Sequence, residues 1–197
     1  MNFFDLLKHR KSVRRFADEP VTQQDLSDIL LAANGAPIGS RMYKDIHLTV
    51  VRNRDVLDRL SEAAAKRWEN KSKMKEILGD YKPDGRQAKQ GYDPFYGAPA
   101  VIFVSHRNQT VQPGIEFANA ACVVYSMHLA AAELGLGSVF MWFALESMRE
   151  LPELDHSSLL NLPDGFTPLM GIAVGRPAKQ PDARELKPDQ ISVDYIG

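Results

Sequence analysis

Apolar positions along the chain alternate between helical and strand periods. "NFFDLLKHR" (2–10) spaces Phe3, Phe4, Leu6 and Leu7 as a short amphipathic helix. "TQQDLSDILLAANGAP" (22–37) predicts a second helix, with Thr22 as N-cap, Asp25 in the first turn, and Gly35 and Pro37 as the stop. "IHLTVV" (46–51) is short and β-branched, which predicts a strand. "RDVLDRLSEAAAKRWE" (54–69) returns to helical spacing through Val56, Leu57, Leu60, Ala63 and Ala64. From 66 to 96 the period is lost among Gly79, Pro83, Gly85, Gly91 and Pro94. A connection that long is expected to be functional or partly helical.

Farther on, "PAVIFVS" (99–105), "GSVFMW" (137–142) and "PLMGIAVG" (168–175) have the pattern of buried strands, with a short helix near 145–151. Ile115 to Leu134 is apolar almost all round, so core or a second chain must cover most of its sides. Its Glu116, Asn119, His128 and Glu133 argue against a membrane span. The tail "RPAKQPDARELKPDQ" has three prolines and no core pattern; "ISVDYI" (191–196) then alternates Ile191, Val193 and Tyr195, as an extended arm ending in a strand would. Helices and strands interleave without a regular βαβ rhythm, which predicts an α+β fold.

With 197 residues, 44% of them hydrophobic, the chain suits one domain over 1–180 and an arm over 181–197. A net charge of −1 speaks against a nucleic-acid binder working by bulk attraction. Cys122 has no partner for an internal disulfide, and "MNFFDLLKHR" is too short and too polar for a signal peptide. A cytoplasmic location is the expectation, with no membrane partner.

Against that near-neutral background, "HRKSVRRF" (9–16) packs Arg10, Lys11, Arg14 and Arg15 beside His9. If the stretch is extended, Arg10, Ser12 and Arg14 share one side, and Lys11, Val13 and Arg15 the other. Two guanidinium forks flanking a hydroxyl suit a phosphate monoester. A solvated charged turn fits the same residues. No Walker or dinucleotide glycine motif occurs; "GLGS" (135–138) reads as a helix C-cap and tight turn. HExxH and CxxC are absent, so no metal site is expected, and His9, His47, His106, His128 and His156 are scattered. No acid, base or nucleophile stands out, so no catalytic side chain is assigned, and a cofactor is expected to carry any chemistry.

The order "RKSVRRF…PVTQQDLSDILLAANGAP…IHLTVV…APAVIFV…EFANAACVVYSMHLAAAELGLGSVFMW…MGIAVGRP" resembles the FMN-dependent nitroreductase family from Phe4 to about Pro181. The resemblance implies a central mixed β-sheet flanked by helices, and a homodimer with FMN at the subunit interface and a C-terminal arm embracing the partner. It implies FMN phosphate and ribityl contacts at Arg10 and Ser12, a backbone contact at Lys11, and Arg14 facing the N1/O2 edge of the flavin. It further implies a second phosphate arginine at Arg184, with Arg176 as another candidate. Phe140, Met141 and Trp142 match the segment whose amides approach flavin N5 and O4; core packing is the other reading of Trp142. The family's Asn-x-Gln-Pro-Trp element is missing from "APIGSRMYKDIHL", which marks a divergent branch. There Pro37, Ile38, Gly39 and Ser40 are expected to line the partner's flavin, with Arg41 or Lys44 replacing the lost contacts.

The implied activity is ping-pong transfer from NADH or NADPH through FMN to a nitroaromatic, quinone or similar acceptor. A specialised FMN reductase (dehalogenase or ene-type) and a non-catalytic flavin-binding or redox-sensing module are the alternatives. The excess of Lys and Arg over 66–96 would favour an anionic donor or carrier, and Tyr92, Phe95 and Tyr96 would form a lid; a solvated hairpin with core anchors is the competing reading.

Overall fold

A computed structural model of the chain describes residues 1–69, 93–150 and 156–197. The helices are α1 (Phe3–His9), α2 (Gln23–Asn34), α3 (Arg54–Glu69), α4 (Ile115–Glu133), α5 (Phe143–Glu150) and the single turn α6 (His156–Leu159). The strands are β1 (Ile46–Val51), β2 (Ala100–Arg107), β3 (Gly137–Met141) and β4 (Phe166–Gly175). They form one sheet in the order β1-β2-β4-β3, with every neighbouring pair antiparallel. The expected mixed sheet is therefore corrected: among the described residues the parallel pairing is a lone bridge, Ser12 to Ser138.

Both sheet faces are covered, which is why β2 and β4 read as continuous apolar runs. Ile102, Val104, Ile172 and Val174 point to one face, where Leu26 and Ile29 of α2 and Val123, Val124 and Met127 of α4 pack on them. Val101, Phe103 and Ala173 point to the other, against Leu57 and Leu60 of α3 and Leu145 and Met148 of α5. α4 is long and apolar enough to cross a membrane by composition alone. Here it is a core helix that buries Asn119 and His128 along with its apolar residues.

Local chemistry sets the ends. Thr22 and Asp25 form a reciprocal capping box on α2. α4 stops in a Schellman turn: Gly135, at φ 71, donates to Ala132 and Leu136 donates to Ala131. That is the C-cap read from "GLGS". In α1, by contrast, Phe3 and Phe4 stay exposed, because only Leu6 and Leu7 turn inward. Most of the irregular stretch, with its basic excess and Tyr92, lies outside the described residues. The lid expectation fails for Phe95, which is fully buried edge-on to Phe103 and belongs to the core. "ISVDYI" forms no strand in the single chain, and Ile191, Val193, Tyr195 and Ile196 are exposed.

Candidate functional site

α1 ends by delivering Arg10 as its C-cap, whose N–H donates to Leu6 O. The chain then runs extended along the free edge of β3, held by Val13 N–H to Ser138 O at 2.9 Å. It continues to the end of β4 through Ala17 N–H to Arg176 O and Ala178 N–H to Arg15 O. Close approach is possible because residue 137 is glycine: a Cβ there would sit 2.7 Å from Val13 Cγ1. Extended backbone sorts the side chains as expected. His9, Lys11 and Val13 line a cavity of about 220 Å³ with Leu136, Gln180 and Pro181, while Arg10 turns toward α4.

The tail supplies the second cation. Arg184 donates its N–H to Lys8 O at 3.0 Å and its Nε–H to Leu7 O at 3.2 Å, which anchors the 181–184 stretch on the end of α1. Its guanidinium thereby neighbours that of Arg10. Burial first, and Arg184 second, push Arg10 down from its usual range, with Tyr125 opposing. Among the described residues neither arginine has a carboxylate partner, and Arg10 Nε is buried without a hydrogen bond. Two unneutralised guanidiniums, one with an orphaned donor, are costly unless an anion joins them.

Beneath them His128, 4% exposed, shares a 2.7 Å hydrogen bond from Nδ1 with Ser138 Oγ. Burial, then the Arg10 charge, push it down to about 4, so it is neutral at pH 7. The bond ties α4 to the residue on which Val13 docks. Sequence reading left His128 among the scattered histidines; the signal available was a polar side chain in an otherwise apolar helix, which needs a partner.

Other expected site residues separate. Arg14 is exposed, its guanidinium 5.9 Å from the centroid of the Tyr96 ring, and Ser12 is exposed. Arg176 is spent on Glu19, Nε to Oε2 at 3.1 Å, and does not join the arginine pair. Strand alternation points Met141 into the core and leaves Phe140 and Trp142 outward. Trp142 is thus not core packing: it is 42% exposed, tilted against Phe117, with the Arg149 guanidinium 5.5 Å from its ring.

Pro37 to Ser40 sit at the opposite end of α4, about 13 Å along the helix axis from His128. Ile38 packs on the core, and Gly39 N–H donates to Asn119 Oδ1 at 2.8 Å. Asn119 Nδ2 donates in turn to His106 Nε2, whose Nδ1 bonds Arg107 O. Ser40 donates to Gln112 at 3.0 Å, and both Ser40 and Arg41 hold left-handed φ (54° and 57°). Such backbone persists where its surroundings impose it. Asn119 and His106, which anchor the neighbouring Gly39, gave no recognisable motif.

A model of the nitroreductase family matches residues 7–176. The chain belongs to that family. Among curated proteins it is 27% identical over 198 residues to a Methanothermobacter thermautotrophicus protein described provisionally as an NADH dehydrogenase/NAD(P)H nitroreductase, covering 98% of this chain and 87% of the relative. It is 26% identical over 190 residues to the NAD(P)H FMN reductase of Bacillus subtilis, covering 96% and 71%. A nitroreductase with bound FMN from Bacteroides fragilis superposes with a TM-score of 0.77 at 24% identity, over 99% of this chain and all of that one. One from Desulfitobacterium hafniense, also with bound FMN, gives 0.76 at 21%, again over 99% and 100%. These solved structures establish that the family member has the nitroreductase fold.

Proposed function

We propose that this nitroreductase-family chain is an FMN-dependent oxidoreductase that takes electrons from NADH or NADPH and passes them to a nitroaromatic, quinone or similar small acceptor. The observation that carries the reading is the Arg10–Arg184 pair, uncompensated by any described carboxylate and holding a buried, unpaired Nε–H. A phosphate monoester is what such a pair fits, because it neutralises both cations and accepts the orphaned hydrogen. When bound, FMN supplies the hydride and electron chemistry, with donor and acceptor using it in turn.

The chain's own residues do the rest. Arg10 and Arg184 hold the phosphate, and the Ser12 hydroxyl and the Lys11 backbone line the ribityl chain. Arg14 brings a positive charge to the pyrimidine edge of the ring. Phe140 and Met141 at the end of β3, and Trp142 just beyond it, would present backbone amides to its other edge. Arg176 is left out of the binding set because Glu19 neutralises it.

A homodimer supports this arrangement. Phe3, Phe4, Tyr125, Ile191, Val193 and Tyr195 are exposed in the single chain, and a second copy would give such apolar side chains cover. The partner's Pro37–Ser40 loop would then close the site. The domain over 1–180, the exchanged arm over 181–197 and a cytoplasmic setting belong to the same proposal. Initial rates measured while NADPH and a quinone are both varied should give parallel double-reciprocal lines. Intersecting lines would refute the alternating use of one site. The left-handed Ser40–Arg41 backbone, standing where the family resemblance calls for Asn-x-Gln-Pro-Trp, favours a narrower acceptor preference as the second reading, which an acceptor screen decides.

A further inference from the structure

The turn Asp93–Gly97 is built with unusual care for a connection to an edge of the fold. The Asp93 carboxylate accepts the N–H of Phe95 (2.8 Å) and of Gly97 (2.8 Å), and its carbonyl accepts that of Tyr96 (3.3 Å). Arg54 of α3 holds the same carboxylate at 3.0 Å and also grips Asp58. Phe95 locks the turn into the core from below, against Phe103. Within this frame Tyr96 sits at φ 59, a left-handed conformation that a bulky L-residue rarely adopts, followed by Gly97 at 68.

Backbone of this kind persists only where the surroundings over-determine it, and it clusters where geometry serves function. Here the forced φ directs the Tyr96 ring to Arg14, 5.9 Å from guanidinium carbon to ring centroid. Arg14 is exposed and, among the described residues, has no carboxylate partner. The choice of partner matters. A carboxylate would fix the arginine and cancel its charge; an aromatic face attracts the cation through its quadrupole and leaves the full charge available to another anion.

We propose that Tyr96 is the positioning residue for Arg14, holding an unneutralised guanidinium where it favours negative charge on the reduced flavin over the oxidised form. The proposal rests on the reading that Arg14 faces the flavin's pyrimidine edge. The Asp93–Arg54 frame then exists to hold one ring at one angle, and α3 contributes to the site through a residue it never presents there itself.

The test is the ratio of affinities for reduced and oxidised FMN, obtained from the equilibrium midpoint potential of the FMN-loaded protein. It is measured in the parent, Tyr96→Phe, Tyr96→Gly, Arg14→Met and the Tyr96→Gly/Arg14→Met double variant. Glycine is comfortable at this φ, so Tyr96→Gly keeps the turn while removing the ring, including the part of it packed on the core; the Arg14→Met background separates that loss of packing from the contact with Arg14. Tyr96→Gly should lower the ratio about three- to fivefold, the extent to which an exposed cation–π contact populates one arginine conformer. Tyr96→Phe keeps the ring face and should match the parent. In the Arg14→Met background, removing the ring should change nothing further. If Arg14→Met lowers the ratio but Tyr96→Gly does not, or if the Tyr96→Gly shift survives without Arg14, the positioning role is overturned while the reading of Arg14 stands. If Arg14→Met itself leaves the ratio unmoved, the reading of Arg14 falls and the proposal with it.

Discussion

Replacing Arg10 by alanine separates what its guanidinium costs the empty protein from what it gives the loaded one. Without ligand, Arg10 is a part-buried cation next to Arg184, with its Nε–H buried and unpaired. An unpaired buried donor costs about 1–3 kcal/mol, so truncation removes a penalty along with some packing. Ligand-free stability should stay within about 1 kcal/mol of the parent. With a phosphate ester bound, the same group makes a charge-assisted hydrogen bond worth about 1.5–3 kcal/mol, so FMN affinity should fall roughly ten- to hundredfold or more. Arg10→Lys keeps the charge but loses the fork and should fall between. Arg15 holds the segment through its carbonyl, to Ala178 N–H, rather than through its side chain. Arg15→Ala should therefore move the affinity by less than about twofold, within the usual range for surface changes. The assay is quenching of FMN fluorescence on titration, paired with thermal unfolding in the absence of FMN. An Arg10→Ala protein that binds FMN as the parent does, or that loses several kcal/mol while empty, would refute the reasoning.

Two further outcomes follow from the same region. His128, pushed down to about 4 by burial and by Arg10, stays neutral where the unfolded chain's histidine, at about 6.5, takes up a proton. The unfolded state therefore binds more protons between those values, so stability falls as pH drops from about 6.5 to about 4, by about 3 kcal/mol in all. His128→Gln keeps a partner for Ser138 and removes the titration; urea midpoints should flatten over that window, and an undiminished slope would exclude His128 as its source. Gly137→Ala would set a Cβ 2.7 Å from Val13 Cγ1 and 2.8 Å from Val13 Cβ, so the docked segment must shift. Overpacking of this kind costs about 1–3 kcal/mol, and FMN affinity should drop with it. Val13→Gly added to Gly137→Ala removes Cβ as well as both methyls and should restore much of both, and a double variant no better than the single would show that the edge contact does not seat the arginines.

Elements were legible where one chain segment decides them. The capping box at Thr22 and Asp25, the β-branched run at β1, the all-round apolar α4 and the αL stop at Gly135 are written locally. Strand order was not, because antiparallel pairing of β2 with β4 joins residues some 70 positions apart through side-chain patterns that any neighbour would satisfy. The phosphate side of the candidate site was half legible. Spacing in "RKSVRRF" sorted Arg10 from Lys11, and the family resemblance pointed to Arg184, but the approach of Arg184 depends on backbone bonds to Lys8 and Leu7 that periodicity and composition do not announce. The pairing of Arg176 with Glu19 was not legible for the complementary reason: Glu19 lies far away in sequence. Phe95 and Tyr96 look alike as neighbouring aromatics. Only the turn that Asp93 ties buries Phe95 fully and leaves Tyr96, part-packed on the same core, facing Arg14.

The central claim is that the arginine pair marks an FMN-dependent oxidoreductase. The most direct test is the visible absorption spectrum of the protein, purified and then incubated with FMN, before and after anaerobic addition of NADPH and then NADH. The account predicts flavin bands that remain with the protein through gel filtration and bleach on addition of a reduced nicotinamide. A protein that retains no flavin after incubation, or one whose bound flavin stays oxidised with both donors, would contradict it.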